Sequence, residues 1–193
     1  MSAAPTAGRI LVAAGRLLAR DGAEAVTMRR VADAVGITPM AIYRHYPDRA
    51  ALLNALADRG FADLAAELTR KRRSTGLEAR LFQMLDAYLV FAFAHPRLFE
   101  LMFLKPRAGA RRFPRDFKAG RSPTANPFAA LLQQGMDSGR LRRDDVWEIT
   151  FEIGAMLEGL IMLYLGGRID ISAVRFRALT KRSFRRYLRG IYR

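Results

Sequence analysis

The sequence predicts an all-α protein, with an N-terminal three-helix head followed by a larger six-helix body. Three observations carry that expectation. Apolar residues recur at helical spacing through almost every segment, and no stretch sustains the apolar–polar alternation of a strand. Gly, Pro and capping residues fall between these segments and cut the 193 residues into pieces of helix length. Hydrophobic residues make up 51% of the chain, enough to fill a core in one compact unit or in a head plus a body.

The elements follow in order. Ile10, Leu11, Ala14, Leu17 and Leu18 form the stripe of a first helix, ended by Asp21-Gly22. Thr27 is a good N-cap for a short second helix, Met28 to Val35, which stops at Gly36. A third short helix starts near Thr38, with Pro39 in the first turn, where a missing N–H costs nothing. Pro47-Asp48 stops it, and Asp48 caps a long fourth helix from Arg49 to about Arg73 that buries Leu52, Leu53, Leu56, Phe61, Leu64 and Leu68. Ser74-Thr75-Gly76 separates this from a fifth helix, Leu77 to about Ala94, which His95-Pro96 breaks. A short sixth carries Leu98, Phe99, Leu101, Met102 and Phe103.

The stretch Lys105 to Asn126 holds Pro, Gly, Ser and seven basic residues against one acid, and reads as a long mobile loop. Pro127 opens a seventh helix to about Ser138. Asp144-Asp145 begins an eighth, through about Leu165, closed by Gly166-Gly167. Ser172 caps a ninth that runs to the C-terminus. The expected division is a head at 1–50 and a body at 51–193, with the helix at 49–73 connecting them.

Charge and composition bound the function. A net charge of +15, from 33 Lys and Arg against 18 Asp and Glu, favours a polyanionic partner. The excess is not confined to the head: residues 127–193 carry as many basic groups as residues 1–73, so charge alone marks no single face. The chain has no Cys, which fits a reducing cytoplasm and removes thiolate chemistry. His45 and His95 are the only histidines, so neither a His-rich metal site nor a Ser-His-Asp arrangement is supported, and no Gly-rich phosphate loop is present. No enzyme, metal or cofactor is expected. Arg9, Arg16 and Arg20 break the N-terminal apolar stretch, and Glu152 and Glu158 interrupt the most apolar late one, so no membrane span is expected.

Two short helices joined by Val35-Gly36-Ile37-Thr38 form a helix-turn-helix layout, braced by Val31, Ala32, Val35, Ile37 and Ile42. In that layout the second helix enters the major groove of double-stranded DNA with its N-terminal residues near the bases. Thr38, Met40, Ala41 and Arg44 lie on or near its outward side. Tyr43, His45 and Tyr46 sit where phenol and imidazole groups reach phosphates, and Arg49 adds a cation at the next helix start. Two bland readings stand beside this one: Tyr43 as an inward packing residue, and Arg29 with Arg30 as a solvated face.

The stretch AVTMRRVADAVGITPMAIYRHYPDRAALLNALAD, residues 25–58, closely resembles the DNA-binding head of the TetR family of transcriptional repressors. The match in turn, aromatic cluster and helix lengths covers roughly residues 8–60. The resemblance implies a DNA-binding regulator whose body binds a small ligand and dimerises. It implies a phosphate contact at Thr27, a base or phosphate contact at Arg29, major-groove positions at Thr38, Pro39, Met40 and Ala41, and a backbone-contacting pair at Tyr43 and His45. Arg49 stands where the family has Lys, keeping the charge but adding a second N–H toward a phosphate. Met40 and Ala41 stand where Gln or Lys is usual, which shifts readout toward thymine methyls and Arg44.

In the body, Tyr88, Phe91, Phe99, Met102, Phe103, Trp147, Phe151 and Met156 read either as plain core or as the lining of a pocket for a small apolar or amphipathic ligand. Glu148 and Glu152 share a helix face and meet a cationic ligand, solvent or Arg residues. Small residues beside large ones in the helices near 144–165 and 172–192 suit close packing in a homodimer, which palindromic half-sites require. The expected function is a cytoplasmic DNA-binding repressor released from a palindromic operator by a ligand. The alternative is a basic helical protein acting without sequence specificity at anionic membranes or other polyanions.

Overall fold

The computed structural model describes residues 6–70 and 76–193, and every regular element longer than a single bridge in it is helical. The helices are α1 (Thr6–Asp21), α2 (Met28–Val35), α3 (Pro39–Tyr43), α4 (Arg49–Thr69), α5 (Leu77–Ala94), α6 (Pro96–Phe103), α7 (Arg115–Lys118), α8 (Ala125–Asp137), α9 (Val146–Leu165) and α10 (Ala173–Ile191). A single 3₁₀ turn, Ala23–Ala25, joins α1 to α2. The expected end of the fourth helix near Arg73, and the Ser74-Thr75 boundary, lie outside the described residues.

The chain forms two compact units. The first runs through Phe61 and includes Ala94–Ala110; the second comprises Ala62–Phe93 and Arg111–Arg193. In the first unit Ile10, Ala14, Val31, Ala32, Ile42, Leu52 and Ala57 are fully buried, so the predicted stripes of α1, α2, α3 and α4 meet in one core. The unit extends past residue 50 because the apolar side of α4 continues into contacts with α6. Phe61 meets Phe103 edge-on at 5.1 Å, Phe99 lies 4.6 Å from Phe103, and a Cβ at Gly60 would stand 2.5 Å from the Met102 sulfur. Arg107 is buried here, with its guanidinium over the Phe61 ring at 5.3 Å and Asp58 at 4.0 Å.

In the second unit Leu81, Leu85, Leu89, Leu132, Ile161, Phe176 and Phe184 are fully buried across α5, α8, α9 and α10. Asp145 caps α9 by accepting from the N–H groups of Trp147 and Glu148 at 2.9 and 3.2 Å, and Ser172 caps α10. The end of α10 is tied back by the Arg142 N–H donating to the Ile191 carbonyl at 2.9 Å.

The expected mobile loop at 105–126 is corrected. Its second half is an anchored segment with one helical turn, α7, and α8 begins at Ala125 rather than Pro127. The buried Asp116 organises it: the carboxylate accepts from the Arg112 backbone N–H at 2.8 Å and from the side chains of Arg115 and Arg121 at 3.3 Å each. Those charge-assisted bonds hold the carboxyl below its usual range, the Arg112 N–H contributing most. Phe113 stacks on Phe151 of α9 at 4.4 Å, Phe117 meets it edge-on, and Lys118 pairs with Asp145 at 2.8 Å. A run of arginines that reads as solvated polymer is drawn in by the single acid among them.

Candidate nucleic-acid interface

The head's two short helices are set by local chemistry. Thr27 is extended, and its hydroxyl accepts from the Arg30 N–H at 3.2 Å, closing the first turn of α2. Gly36 ends α2 with φ 73° and ψ 40°, a left-handed position that residues with a side chain rarely adopt, and its N–H returns to the Ala32 carbonyl at 2.9 Å. Thr38 then caps α3 by accepting from the Ala41 N–H at 3.3 Å, and Pro39 takes the first turn. Ile42 on α3 is fully buried and fixes that helix to the head's core.

Most of the residues expected at DNA are left at the surface. Arg29, Thr38, Pro39, Met40, Tyr43, Arg44 and His45 are exposed, with Met40 at 68% and Tyr43 at 47% of their full surface. The inward reading of Tyr43 is thereby excluded. Ala41 and Thr27 are half-buried. Arg30 is engaged: it pairs at 2.6 Å with Asp21, which also receives Arg20. The two arginine hydrogen bonds hold the Asp21 carboxyl down at about 2.

Two of the residues expected at phosphates are committed to the head's own backbone. Arg49 donates from Nε to the Val26 carbonyl at 2.8 Å and from Nη2 to the Ala23 carbonyl at 2.7 Å, with Glu24 at 3.2 Å. The Ala23 carbonyl also accepts the Val26 N–H at 3.1 Å, and a planar guanidinium fork reaches both oxygens. The Tyr46 hydroxyl donates to the Ala7 carbonyl at 3.3 Å, and burial raises its pKa. Arg9, a residue with no distinguishing signal in the sequence, donates to the Val35 carbonyl at 3.0 Å and closes the far end of α2.

Family models match both parts of the chain. That for bacterial regulatory proteins of the tetR family covers residues 10–56, and that for the tetracyclin repressor-like C-terminal domain covers residues 81–190, more than half of the chain. The chain belongs to the tetR family. Its helix-turn-helix head and helical body are therefore those of a DNA-binding transcriptional regulator.

Individual relatives are more distant. The nucleoid occlusion factor SlmA of Pasteurella multocida (strain Pm70) is 33% identical over 97 residues, 47% of this chain and 49% of that protein. The same factor of Glaesserella parasuis serovar 5 (strain SH0165) is 29% identical over 82 residues, covering 42% and 41%. The matched part of the chain thus spans about half the length of these curated relatives, or less. Among solved structures, a protein of unknown function from Rhodococcus sp. RHA1 superposes with a TM-score of 0.82 at 26% identity, covering 99% and 97% of the two chains. The fatty acid degradation regulator FadR of Bacillus halodurans gives 0.73 at 17% identity over 97% of each chain. A TetR-family transcriptional regulator from Haemophilus influenzae RD gives 0.66 at 19% identity, over 97% and 96%. The last two bear on fold alone.

The eight residues expected to line a ligand pocket are divided between the units. Phe99, Met102 and Phe103 belong to the unit that contains the head, while Tyr88, Phe91, Trp147, Phe151 and Met156 belong to the other. Tyr88 and Phe91 are buried, Trp147 and Met156 half-buried, and Phe151 is exposed beneath its two ring partners. A cavity of about 430 Å³ in the second unit contains none of the eight: Leu68, Met84, Leu131, Arg80, Gln83 and Gln134 contribute to its wall. Of the paired acids, Glu148 is exposed and Glu152 accepts a short hydrogen bond from the Tyr187 hydroxyl. Among the described residues no cluster of metal-ligating side chains occurs, and no helix is long and apolar enough to cross a membrane.

Proposed function

We propose that this tetR-family regulator is a cytoplasmic homodimeric repressor that holds a palindromic operator and releases it when a small apolar or amphipathic ligand enters the body. The observation that carries the reading is the contrast within the head. Arg29, Thr38, Pro39, Met40, Ala41, Tyr43, Arg44 and His45 form the DNA face, with Thr27 at its edge. Arg49, Tyr46 and Arg9 brace that face from behind through backbone carbonyls. A rigid, pre-shaped face presents its side chains to the groove without first losing conformational freedom.

A dimer is supported by the C-terminal end of α9, which leaves Met162, Leu163 and Leu165 exposed, with Val174 of α10 at 78% exposure nearby in sequence. Two-fold symmetry then places two reading helices for two half-sites.

Binding of the purified full chain to DNA from upstream of its own gene, measured across a salt series, tests the assignment. The expected result is tight binding to one palindromic site, weakening steeply with salt while keeping its preference over scrambled DNA. Equal affinity for scrambled DNA, or preference for anionic vesicles, overturns it.

A further inference from the structure

One ionisable group inside the second unit has no part in the head, the caps or the ion pairs. The Glu158 carboxylate on α9 accepts a hydrogen bond from the buried Tyr88 hydroxyl of α5 at 3.2 Å, and no cation of the described residues pairs with it. The cations that α10 turns toward α5 are engaged elsewhere: Lys181 with Asp86, Arg185 over the Phe82 ring, and Arg177 over the Phe93 ring. On α9 itself, Glu152 is held by Tyr187 and Glu148 is exposed. In the anchored segment Lys118 pairs with Asp145, and Arg115 and Arg121 with Asp116. Burial lifts the Glu158 carboxyl to about 7, against the smaller opposing pull of the Tyr88 hydrogen bond.

The surroundings leave room beside this carboxyl. A Cβ at Gly154 would meet only the Glu158 Oε1, at 3.7 Å, and one at Gly159 would meet nothing within 4 Å. Two helical turns toward the N-terminus, roughly 10 Å along the same face of α9, stands the Phe113, Phe117 and Phe151 cluster. Small residues, Gly154 and Ala155, lie between carboxyl and rings.

We propose that Glu158, oriented by Tyr88, is the recognition group for an organic ammonium ligand whose apolar body lies over Gly154 and Ala155 toward the Phe113–Phe117–Phe151 cluster. The carboxyl supplies the counter-charge, and the aromatic faces favour a cationic or apolar body. Binding draws the proton off Glu158, so the complex is a carboxylate–ammonium pair and one proton passes to solvent. This inference rests on the ligand-responsive reading above and names the ligand class for it.

Calorimetry with benzyltrimethylammonium, which has no proton of its own to lose, and with benzyl alcohol as an uncharged control, tests it on the intact protein. Between pH 6 and pH 8 the cation's affinity is expected to rise roughly tenfold, as a carboxyl titrating near 7 requires, while the alcohol's stays constant. Proton release is expected with the cation alone. Glu158→Gln, similar in shape, is expected to abolish the pH dependence, the proton release and the preference for the cation. Glu158→Asp is expected to keep the pH dependence at lower affinity. Equal binding of cation and alcohol, or an unchanged cation preference in Glu158→Gln, overturns the proposal. So does the absence of cation binding together with a tighter dimer in Glu158→Gln, which would assign the carboxyl to the subunit interface. If the cation binds through Glu158 without altering operator affinity, the site stands and the release reading fails instead.

Discussion

The loop between α2 and α3 and the segment that leads into α8 are both marked by Gly and Pro, yet only the first is readable residue by residue. Thr27, Gly36, Thr38 and Pro39 each act on the backbone within four residues of themselves, through caps, a left-handed φ and a preset first turn. The segment at 111–121 is held by Asp116, whose partners are nearby in sequence, and by Phe151 and Asp145, which are not. Local backbone chemistry declares itself in sequence. Anchoring by distant side chains does not.

The largest expected effect falls on the head's core. Ile42→Ala removes a fully buried side chain from α3 and is expected to cost about 2–5 kcal/mol in the stability of that unit. The measurement is operator binding against temperature alongside the melting of the whole chain. Binding that survives to the wild-type temperature would show that tertiary packing adds little to the local caps, and the contrast between the two regions would then become absolute.

Arg49→Met comes next, because it keeps the stem while removing the fork from the Val26 and Ala23 carbonyls. Leaving those acceptors without their charged donor is expected to cost about 1–3 kcal/mol and to weaken operator binding with the dimer intact. Arg49→Lys separates bracing from charge. If Arg49 acts as a brace, Lys restores little; if it acts on a phosphate, Lys restores most of the binding.

Asp116→Asn tests the other side of the comparison. The folded carboxyl titrates below its usual value, so its contribution is present above the ordinary carboxylate range and is lost as pH falls through the lowered pKa. Acidification is therefore expected to speed proteolytic cleavage within 111–121 in the wild type. The variant is expected to be cleaved quickly at neutral pH, with little further change on acidification. Slow cleavage in the variant would mean that the Phe113 and Phe117 contacts hold the segment alone.

What was legible follows the same division. The bounds of α2 and α5 were set by Thr27, Gly36 and His95-Pro96, and the exposure of Met40 and Tyr43 by their place on α3. Arg49 and Tyr46 were legible as a cation and a phenol but not as braces, because the carbonyls they meet belong to the 3₁₀ turn and the residue after it, more than 20 residues away, and to α1. Of the aromatic residues expected at a pocket, Tyr88 and Phe91 are buried and Phe151 is exposed, because aromatic composition carries no information on which side of a helix will be covered. Glu158 passed as one acid among three on α9; only the fold brings it to Tyr88.

The smallest effect bears on the most unusual residue of the face. Met40 is 68% exposed, so Met40→Ala is expected to change stability by no more than about 0.5 kcal/mol. Its role, if it reads thymine, is apolar contact with a methyl group in the major groove. Replacing that thymine by uracil removes one methyl and is expected to cost the wild type about 0.8 kcal/mol, the worth of one buried carbon. In Met40→Ala the same replacement should cost almost nothing, because the partner surface is already gone. A double-mutant cycle across operator positions measures that coupling directly. Coupling at one symmetric pair of thymines places Met40 at a defined base. Uniform loss without coupling at any thymine moves the readout to Arg29 and Arg44, and leaves Met40 as a filler of the groove.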